Sequence, residues 1–556
     1  MLFFRLAARG SAAISGGASI VAPTLTSGPT MGSTTASIAF TGGSGYATLI
    51  PQYSTDNSNW TSISSDTSSP IDVISLTSST LYYFRALPDN NVAYVSNTVT
   101  GTTSASSGSY GNVVNAAGYT LTDPTVAATY DFYVDAATGN NSNTGVDAAH
   151  AWADLTNTTL VKISAGAKVL VKAGTYVMPT FWSSSVLSSA NLATPTMLIA
   201  APGESVTWDC TNGSVMDGAD NWCFWGGHIS CVTNGFVIGD NIATSNIGFY
   251  YMTGLQSIGA SDNRGLIFWN GTGDATVVGG GGTDNTGDYL DVQVCTFRGS
   301  YGTGPNDGVG GVNTALVYAR KIKHYNIVGN ILTDCLNPIY GKHEFNNPPA
   351  QAACSRVIKG NIIRNAGRYV APVGYWVNFQ HNVLVDSGYA NGTYDGGGYG
   401  EGYGSTIKNN AFVKTGAAGT VLSLDWEDQS SPNAVLPALQ VLKDNVFAGN
   451  ARISFLRYDA GDLQITADYN LYPTGSCIYH YNDNLNNLAS WQGDSTNHPT
   501  STRDPNSVAG SCVFVSSNTS SETPADWAQH STSAGYASGT SGANMGPNVA
   551  LLLEPA

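Results

Sequence analysis

Charge is scarce in this chain, and positive charge most of all: 22 Lys and Arg stand against 38 Asp and Glu in 556 residues, a net charge of −16. Such a surface repels a phosphate backbone, which excludes nucleic acid as an expected partner. No stretch approaches the roughly 18 consecutive apolar residues of a membrane-spanning helix, so no membrane span is expected. The eight cysteines, at 210, 223, 231, 295, 335, 354, 477 and 512, contain no Cys-x-x-Cys pair and no Cys/His spacing suited to zinc. No metal and no cofactor is therefore expected. Most of the thiols read as small core residues, with Cys223 and Cys231 the one pair to consider for a bridge. The opening "MLFFRLAARGSAAISGGAS" has no basic residue ahead of its apolar run, which Arg5 interrupts. Residues 1–21 accordingly read as an anchor or flexible leader in preference to an export signal. Beyond residue 130 amphipathic helices are lacking as well, and short β-rich segments recur in their place.

What is abundant is glycine, 64 residues, together with Ser, Thr and Asn in the polar positions. Residues 22–103 hold short alternating runs, among them "ASIAFT", "ATLIPQYS", "IDVISL" and "LYYFRALP", separated by turn clusters. Strands at that spacing predict a β-sandwich. In "YSTDNSNWTSI" and "LTSSTLYYFRA" the segment resembles a fibronectin type III domain. Leu76, Thr80, Tyr82 and Phe84 fall at that family's leucine, threonine, tyrosine-corner and following core positions, and Phe40 stands where the family usually has Trp. The Ser- and Gly-rich "GTTSASSGSYG" begins a stretch, residues 104–129, expected to be a linker.

From 130 to 500 one hexamer keeps returning: "IVGNIL", "IKGNII", "FQHNVL", "IKNNAF", "LKDNVF" and, slightly shifted, "ADYNLY". It sets a series of amides, Asn330, Asn361, Asn382, Asn410, Asn445 and Asn470, and "VQVCTF" puts Cys295 in the equivalent place one unit earlier. If each unit is one winding of a coiled ribbon, its strands pair in parallel with those above and below at about 4.8 Å, and equivalent side chains stack in columns. An Asn in the bend can then satisfy backbone groups of the turn and reach the Asn of the next winding, which accounts for an amide being repeated. Together with "FYVDAATGNNSNTG" and "GAKVLVKAGTY", the Asn series resembles the right-handed parallel β-helix, or pectin-lyase-like, superfamily. The expected fold class is thus all-β, a right-handed parallel β-helix preceded by a fibronectin type III-like sandwich, with residues 501–556 covering the open end of the solenoid. The superfamily includes polysaccharide lyases, glycoside hydrolases and phage tailspikes, so the resemblance constrains substrate class more than reaction.

Counting from each Asn aligns a strip of aromatic and charged residues. Trp376, Trp426, Glu427, Arg457, Tyr458 and Tyr481 are the expected carbohydrate contacts, because an apolar platform suits a sugar's C–H face and charged groups its hydroxyls. Groups on adjacent windings would lie about 5 Å apart and on alternate ones about 10 Å, a range that brackets the carboxylate separations of glycosidases. Glu401, Asp425 and Asp459 are the carboxylates so arranged, set against the plainer reading of solvated acids. Lys342, with His343 beside it, resembles the catalytic lysine of the alginate lyase and chondroitinase B branch. Where that branch would carry an arginine one winding later, this chain has Tyr375 and Trp376, leaving Arg364, Arg368 or Arg457 as substitutes. The plainer reading of Lys342 and His343 is an outward polar pair. The Gly- and Asp-rich stretch 277–291 and the segment 304–313 read as loops.

These observations lead to one principal expectation, a phage virion spike or fibre that binds, and in one version depolymerises, a bacterial surface polysaccharide. The resemblance implies a homotrimer attached to other virion proteins through its N-terminus. The alternatives are a secreted bacterial polysaccharide lyase or hydrolase, extracellular in location, and a noncatalytic structural fibre.

Overall fold

The computed structural model describes residues 20–25, 29–31, 36–62, 71–73, 76, 81–89, 91–102, 110–126, 129–180, 182, 191–216, 220–231, 235–238, 246–256, 265–270, 289–299, 315–320, 322–335, 337–342, 354–366, 370–371, 377–387, 405–426, 440–457, 465–480, 487–493 and 502–555. It is nearly all-β and divides into two compact units, 1–109 with 202–204, and the remainder.

In the first unit every strand pairing among the described residues is antiparallel. A four-stranded sheet orders Thr61–Ser62, Leu49–Ser54, Leu81–Pro88 and Val99–Thr102, and a three-stranded one orders Thr30–Met31, Ala36–Ile38 and Ile71–Val73. Alternation along Leu81–Pro88 buries Tyr82, Phe84 and Ala86, which pack with Leu25, Ile38, Leu49, Val73 and Leu76 into one core. Phe40 is half-buried against that core, and Tyr53 meets the Tyr82 ring edge-on at 5.8 Å.

The second unit is organised by three parallel sheets. The first has thirteen strands, from Phe132–Val134 to Thr502–Arg503; the second also has thirteen, beginning at Gly174–Val177; the third has six, from Ser214–Met216 to Val370–Ala371. Hydrogen-bonded neighbours within each sheet come from successive passes of the chain, an arrangement consistent with a parallel β-helix. In-register pairing stacks like on like: Phe224 lies over Phe249 at 5.3 Å, and Phe412, Phe447 and Tyr472 form a column at 5.0 and 5.1 Å. After residue 371 the third sheet ends, and the long strands Ala411–Trp426 and Val446–Arg457 carry the second sheet onward through register shifts.

The hexamer forms the bend from the first sheet into the second. The residue before each Asn adopts positive φ, at Gly329, Gly360, His381, Asn409, Asp444 and Tyr469, with Val294 and Tyr251 repeating this in earlier windings. For Val294 or Tyr469 that conformation costs roughly 1 kcal/mol. The six amides of the series, Asn330, Asn361, Asn382, Asn410, Asn445 and Asn470, are all fully buried. From Asn330 to Asn445, each donates its Nδ2 to the Oδ1 of the next, and that Oδ1 also accepts the backbone N–H of the donor residue, all at 2.8–3.0 Å. The rung with the longest chain between its partners keeps the same geometry as the next one. Across 35 residues Asn410 donates both N–H and Nδ2 to Asn445 Oδ1 at 3.0 Å, and Asn445 in turn donates to Asn470 Oδ1 at 2.9 and 3.0 Å. The second amide hydrogen reaches a carbonyl of the preceding bend: Asn361 donates to Ile327, Asn410 to Phe379 and Asn445 to Ile407, each at 2.9 Å. Cys295 opens the series by donating its backbone N–H to Asn330 Oδ1 at 2.8 Å. The series ends on acceptors: Asn470 donates Nδ2 to Asp504 at 2.7 Å, and Ser507 Oγ receives its backbone N–H.

Three segments close the surface. The short helix Leu488–Gly493 inserts Trp491 into the core and donates its indole N–H to Asp504 at 2.9 Å. Thr502–Arg503 and Val508–Ala509 pair with Ile465–Asp468 and Leu471–Tyr472 at the same late end. The C-terminal segment instead runs back along the flank, where Thr540 N donates to Asp444, Asn548 N to His381 and Leu553 N to Gly360. Its Trp527, Met545 and Leu552 cover Ile362, Val383, Ala411, Val446 and Leu471, outward side chains too apolar to remain wet.

Part of the expected linker is likewise structured. Val113–Val114 pairs with Thr120–Leu121, and both Val113 and Leu121 pack on Met197, Ile199, Trp225 and Tyr250 of the first sheet. Beneath this hairpin the fully buried Asp291 accepts from Ala116 N at 3.0 Å and Gln293 Nε2 at 2.8 Å, and burial pushes its carboxyl up to about 7. A raised carboxyl pKa means that the folded state keeps a proton the unfolded state releases, so this group's contribution to stability falls as pH rises from about 4 to about 7. Asp291→Asn is expected to remove that slope: the variant gains on the wild type through this window and the difference levels off above it, as read by denaturant midpoints from pH 4 to 8.

No disulfide forms among the eight cysteines. Cys223 lies under the hairpin, on the outer side of the first sheet, while Cys231 belongs to the main core, so the intervening bend sets the suspected pair on different faces.

Candidate functional site

In the third sheet, Gly265–Asn270, Ala315–Arg320 and Asn337–Lys342 pair in parallel register. Ile267, Val317, Ala319 and Ile339 belong to the main core, while Tyr318 joins Val215, Val237 and Ala315 in a separate outer cluster. Register carries the row of Val215 and Val237 through Phe268, Tyr318 and Tyr340, and a second row of positions lies two residues further along each of the last three strands. One row is Phe268, Tyr318 and Tyr340; the next is Asn270, Arg320 and Lys342, with successive members about 4.8 Å apart. Tyr318 itself is 3% exposed.

Lys342 thus has an arginine as its register partner, one winding earlier and not one winding later. Counting from the asparagines missed Arg320, because Asn330 is the first of them. The signal lay in the strands themselves, where "LIFWN", "LVYAR" and "PIYGK" share two apolar residues, an aromatic and a polar or basic fifth position. Of the substitutes considered for the arginine, Arg364 is committed elsewhere: it donates to Glu522 at 2.6 Å and to Ser520 O at 2.7 Å. Arg457 is the register partner of Trp426, and Arg368 lies outside the described residues.

On the long strands of the second sheet, Asp425 faces Leu456 in register and His480 follows Phe455. His343, Trp376, Glu401, Glu427, Tyr458, Asp459 and Tyr481 lie outside the described residues, as do most of 277–291 and all of 304–313. Among the described residues, no three His, Cys, Asp or Glu side chains gather as a metal site, and no helix is long and apolar enough to cross a membrane.

A row of basic and amide residues suits a chain that offers carboxylates. No protein-family model and no curated protein matches this sequence.

Proposed function

We propose that this chain is the spike or fibre of a phage virion, a right-handed pectin-lyase-like β-helix behind a fibronectin type III-like sandwich, which binds an acidic bacterial surface polysaccharide. The observation that carries the reading is the in-register row Asn270, Arg320 and Lys342 beside Phe268, Tyr318 and Tyr340. Arginine grips a carboxylate through two parallel N–H bonds, and lysine adds a second positive charge. The homotrimer and the virion attachment belong to this proposal.

The adjacency of Arg320 and Lys342 also favours a second reading, in which the bound glycan is cleaved. Arg320 would neutralise a uronate carboxylate while the Lys342 amine removes the neighbouring C5 proton. The C4–O bond then breaks, its oxygen takes up a proton as the leaving group, and a C4–C5 double bond remains.

Incubating the full chain with a panel of acidic and neutral bacterial envelope polysaccharides tests both readings. Arg320→Gln and Lys342→Gln are each expected to weaken binding of an acidic glycan about tenfold, corresponding to one charge-assisted hydrogen bond, with neutral glycans unaffected. New absorbance from unsaturated ends supports cleavage, and its absence alongside intact binding leaves a noncatalytic receptor-binding protein. Binding that ignores both substitutions overturns the site.

A further inference from the structure

Outward positions of the first sheet alternate with core residues from Ser355 to Ala467. Arg356, Ile358, Val377, Phe379, Ile407, Leu442, Ile465 and Ala467 are buried, while Val357, Lys359, Asn378, Gln380, Thr406, Lys408, Val441, Lys443 and Thr466 are exposed or half-buried. Register pairing makes two parallel rows of these outward residues. One is Val357, Asn378, Thr406, Val441 and Thr466; the other is Lys359, Gln380, Lys408, Lys443 and then Asp468.

The lysine row is out of keeping with the chain that contains it. In a protein with a net charge of −16 and only 22 basic residues, three lysines occur in four consecutive positions of one row, with Lys408 directly opposite Lys443. Like charges placed opposite each other destabilise a sheet. Local acids offset little of this. Asp468 is engaged by Asn506 and the Tyr469 N–H. Asp444 accepts from Thr540 N and Oγ1 and stands 4.0 Å from Lys408 Nζ. Lys408 keeps 41% of its side chain exposed, and Lys443 lies 5.5 Å from the Tyr469 ring centre. The positive character reaches the neighbouring bend, where burial first, and then Lys359 and Lys408, hold His381 down to about 4.

We propose that this outer face of the first sheet, from the winding of Lys359 to that of Lys443, is a second binding surface for a linear acidic polysaccharide, apart from the third-sheet row. Charge complementarity identifies the occupant. Ammonium groups based on strands about 5 and 10 Å apart along a straight row match a chain that repeats carboxylates at sugar spacing. The adjacent Asn378, Thr406 and Thr466 provide hydrogen-bonding groups for hydroxyls, and Val357 and Val441 provide contact for ring C–H groups. Nucleic acid fits less well, since the remaining charge of the molecule repels it at longer range. The inference rests on the polysaccharide reading for the class of ligand and on different residues for the site.

The test measures binding of polygalacturonate, dextran and duplex DNA to the full chain at low and moderate salt. The proteins compared are the wild type, Lys359→Gln/Lys408→Gln/Lys443→Gln, the corresponding triple Lys→Arg variant, and Arg320→Gln/Lys342→Gln. The triple Gln variant is expected to lose about tenfold or more in polygalacturonate affinity and most of its salt dependence, and the triple Arg variant to retain both. Its thermal midpoint should not fall, because the substitution relieves repulsion, and the Arg variant controls for any misfolding. Dextran binding should be the same in all four. Unchanged polygalacturonate binding in the triple Gln variant, equal binding of DNA by the wild type, or no wild-type binding of polygalacturonate overturns the proposal. Loss of all binding in the Arg320/Lys342 variant alone overturns it too, while sparing the third-sheet reading. Loss confined to the lysine variant sustains this surface and removes the other.

Discussion

Replacing Asn361 by alanine is expected to cost about 4 kcal/mol of stability, a large share of a domain's total, with the midpoint of urea unfolding falling accordingly. Asn361 Oδ1 accepts Asn330 N and Nδ2, each at 2.9 Å, and Asn361 Nδ2 donates to Ile327 O at 2.9 Å and Asn382 Oδ1 at 2.8 Å. All of this is out of contact with water, because Asn330, Asn361 and Asn382 are 0% exposed. Alanine leaves several buried donors and acceptors without partners, each worth roughly 1–3 kcal/mol and not fully additive. Asn361→Asp should do no better: a carboxylate accepts from Asn330 but cannot donate to Ile327 or Asn382, and it buries a charge. A loss under about 1 kcal/mol for the alanine variant would mean that packing, and not the amide series, holds the windings in register.

Glu522→Ala is the second large effect, expected to destabilise the docked C-terminal segment by roughly 3 kcal/mol. The Glu522 carboxylate, 11% exposed, binds Arg364 at 2.6 Å and Arg298 at 3.0 Å, arginines whose strands both pair with Ile331–Cys335 of the second sheet. Removing it leaves two guanidinium groups facing each other in a largely desolvated place, and the flank segment loses the anchor that lies furthest back along the windings. Limited proteolysis should then cut within 511–555 well before the body of parallel sheets, and the thermal unfolding of the body should shift less than the cleavage rate. Glu522→Gln, which preserves volume and one acceptor, should fall between alanine and wild type. Equal cleavage rates for all three proteins would show that Trp527, Met545 and Leu552 hold the segment without the ion pairs.

Much of the winding was legible in advance, and the candidate site was legible only in part. The apolar-x-x-Asn pattern located every bend from Asn330 through Asn410 and Asn445 to Asn470, and it located Cys295 as well, because a parallel stack repeats the same local hydrogen-bonding problem at each level. The positive-φ residue before each Asn had no comparable signature, since Gly, His, Asn, Asp, Tyr and Val all occupy it. Lys342 was visible and Arg320 was not, because the strip was numbered forward from Asn330 and the arginine lies before that origin. Intervals of 21 residues, from Asn361 to Asn382, and of 35, from Asn410 to Asn445, add to the difficulty. Position in the sequence stops predicting position across windings once loop lengths differ.

The sequence by itself determined the class of structure. Alternating apolar residues and a recurring amide are local chemistry, and local chemistry repeated at each winding admits one kind of stack. Tertiary structure alone decided which residues became neighbours across it. The docking of the 113–121 hairpin and of the C-terminal flank, the burial of Asp291, the pairing of Arg320 with Lys342 and the alignment of Lys359, Lys408 and Lys443 all depend on register between strands tens of residues apart or on segments returning from far along the chain. Those contacts follow from the surface left unburied once the windings have formed, which no local pattern encodes.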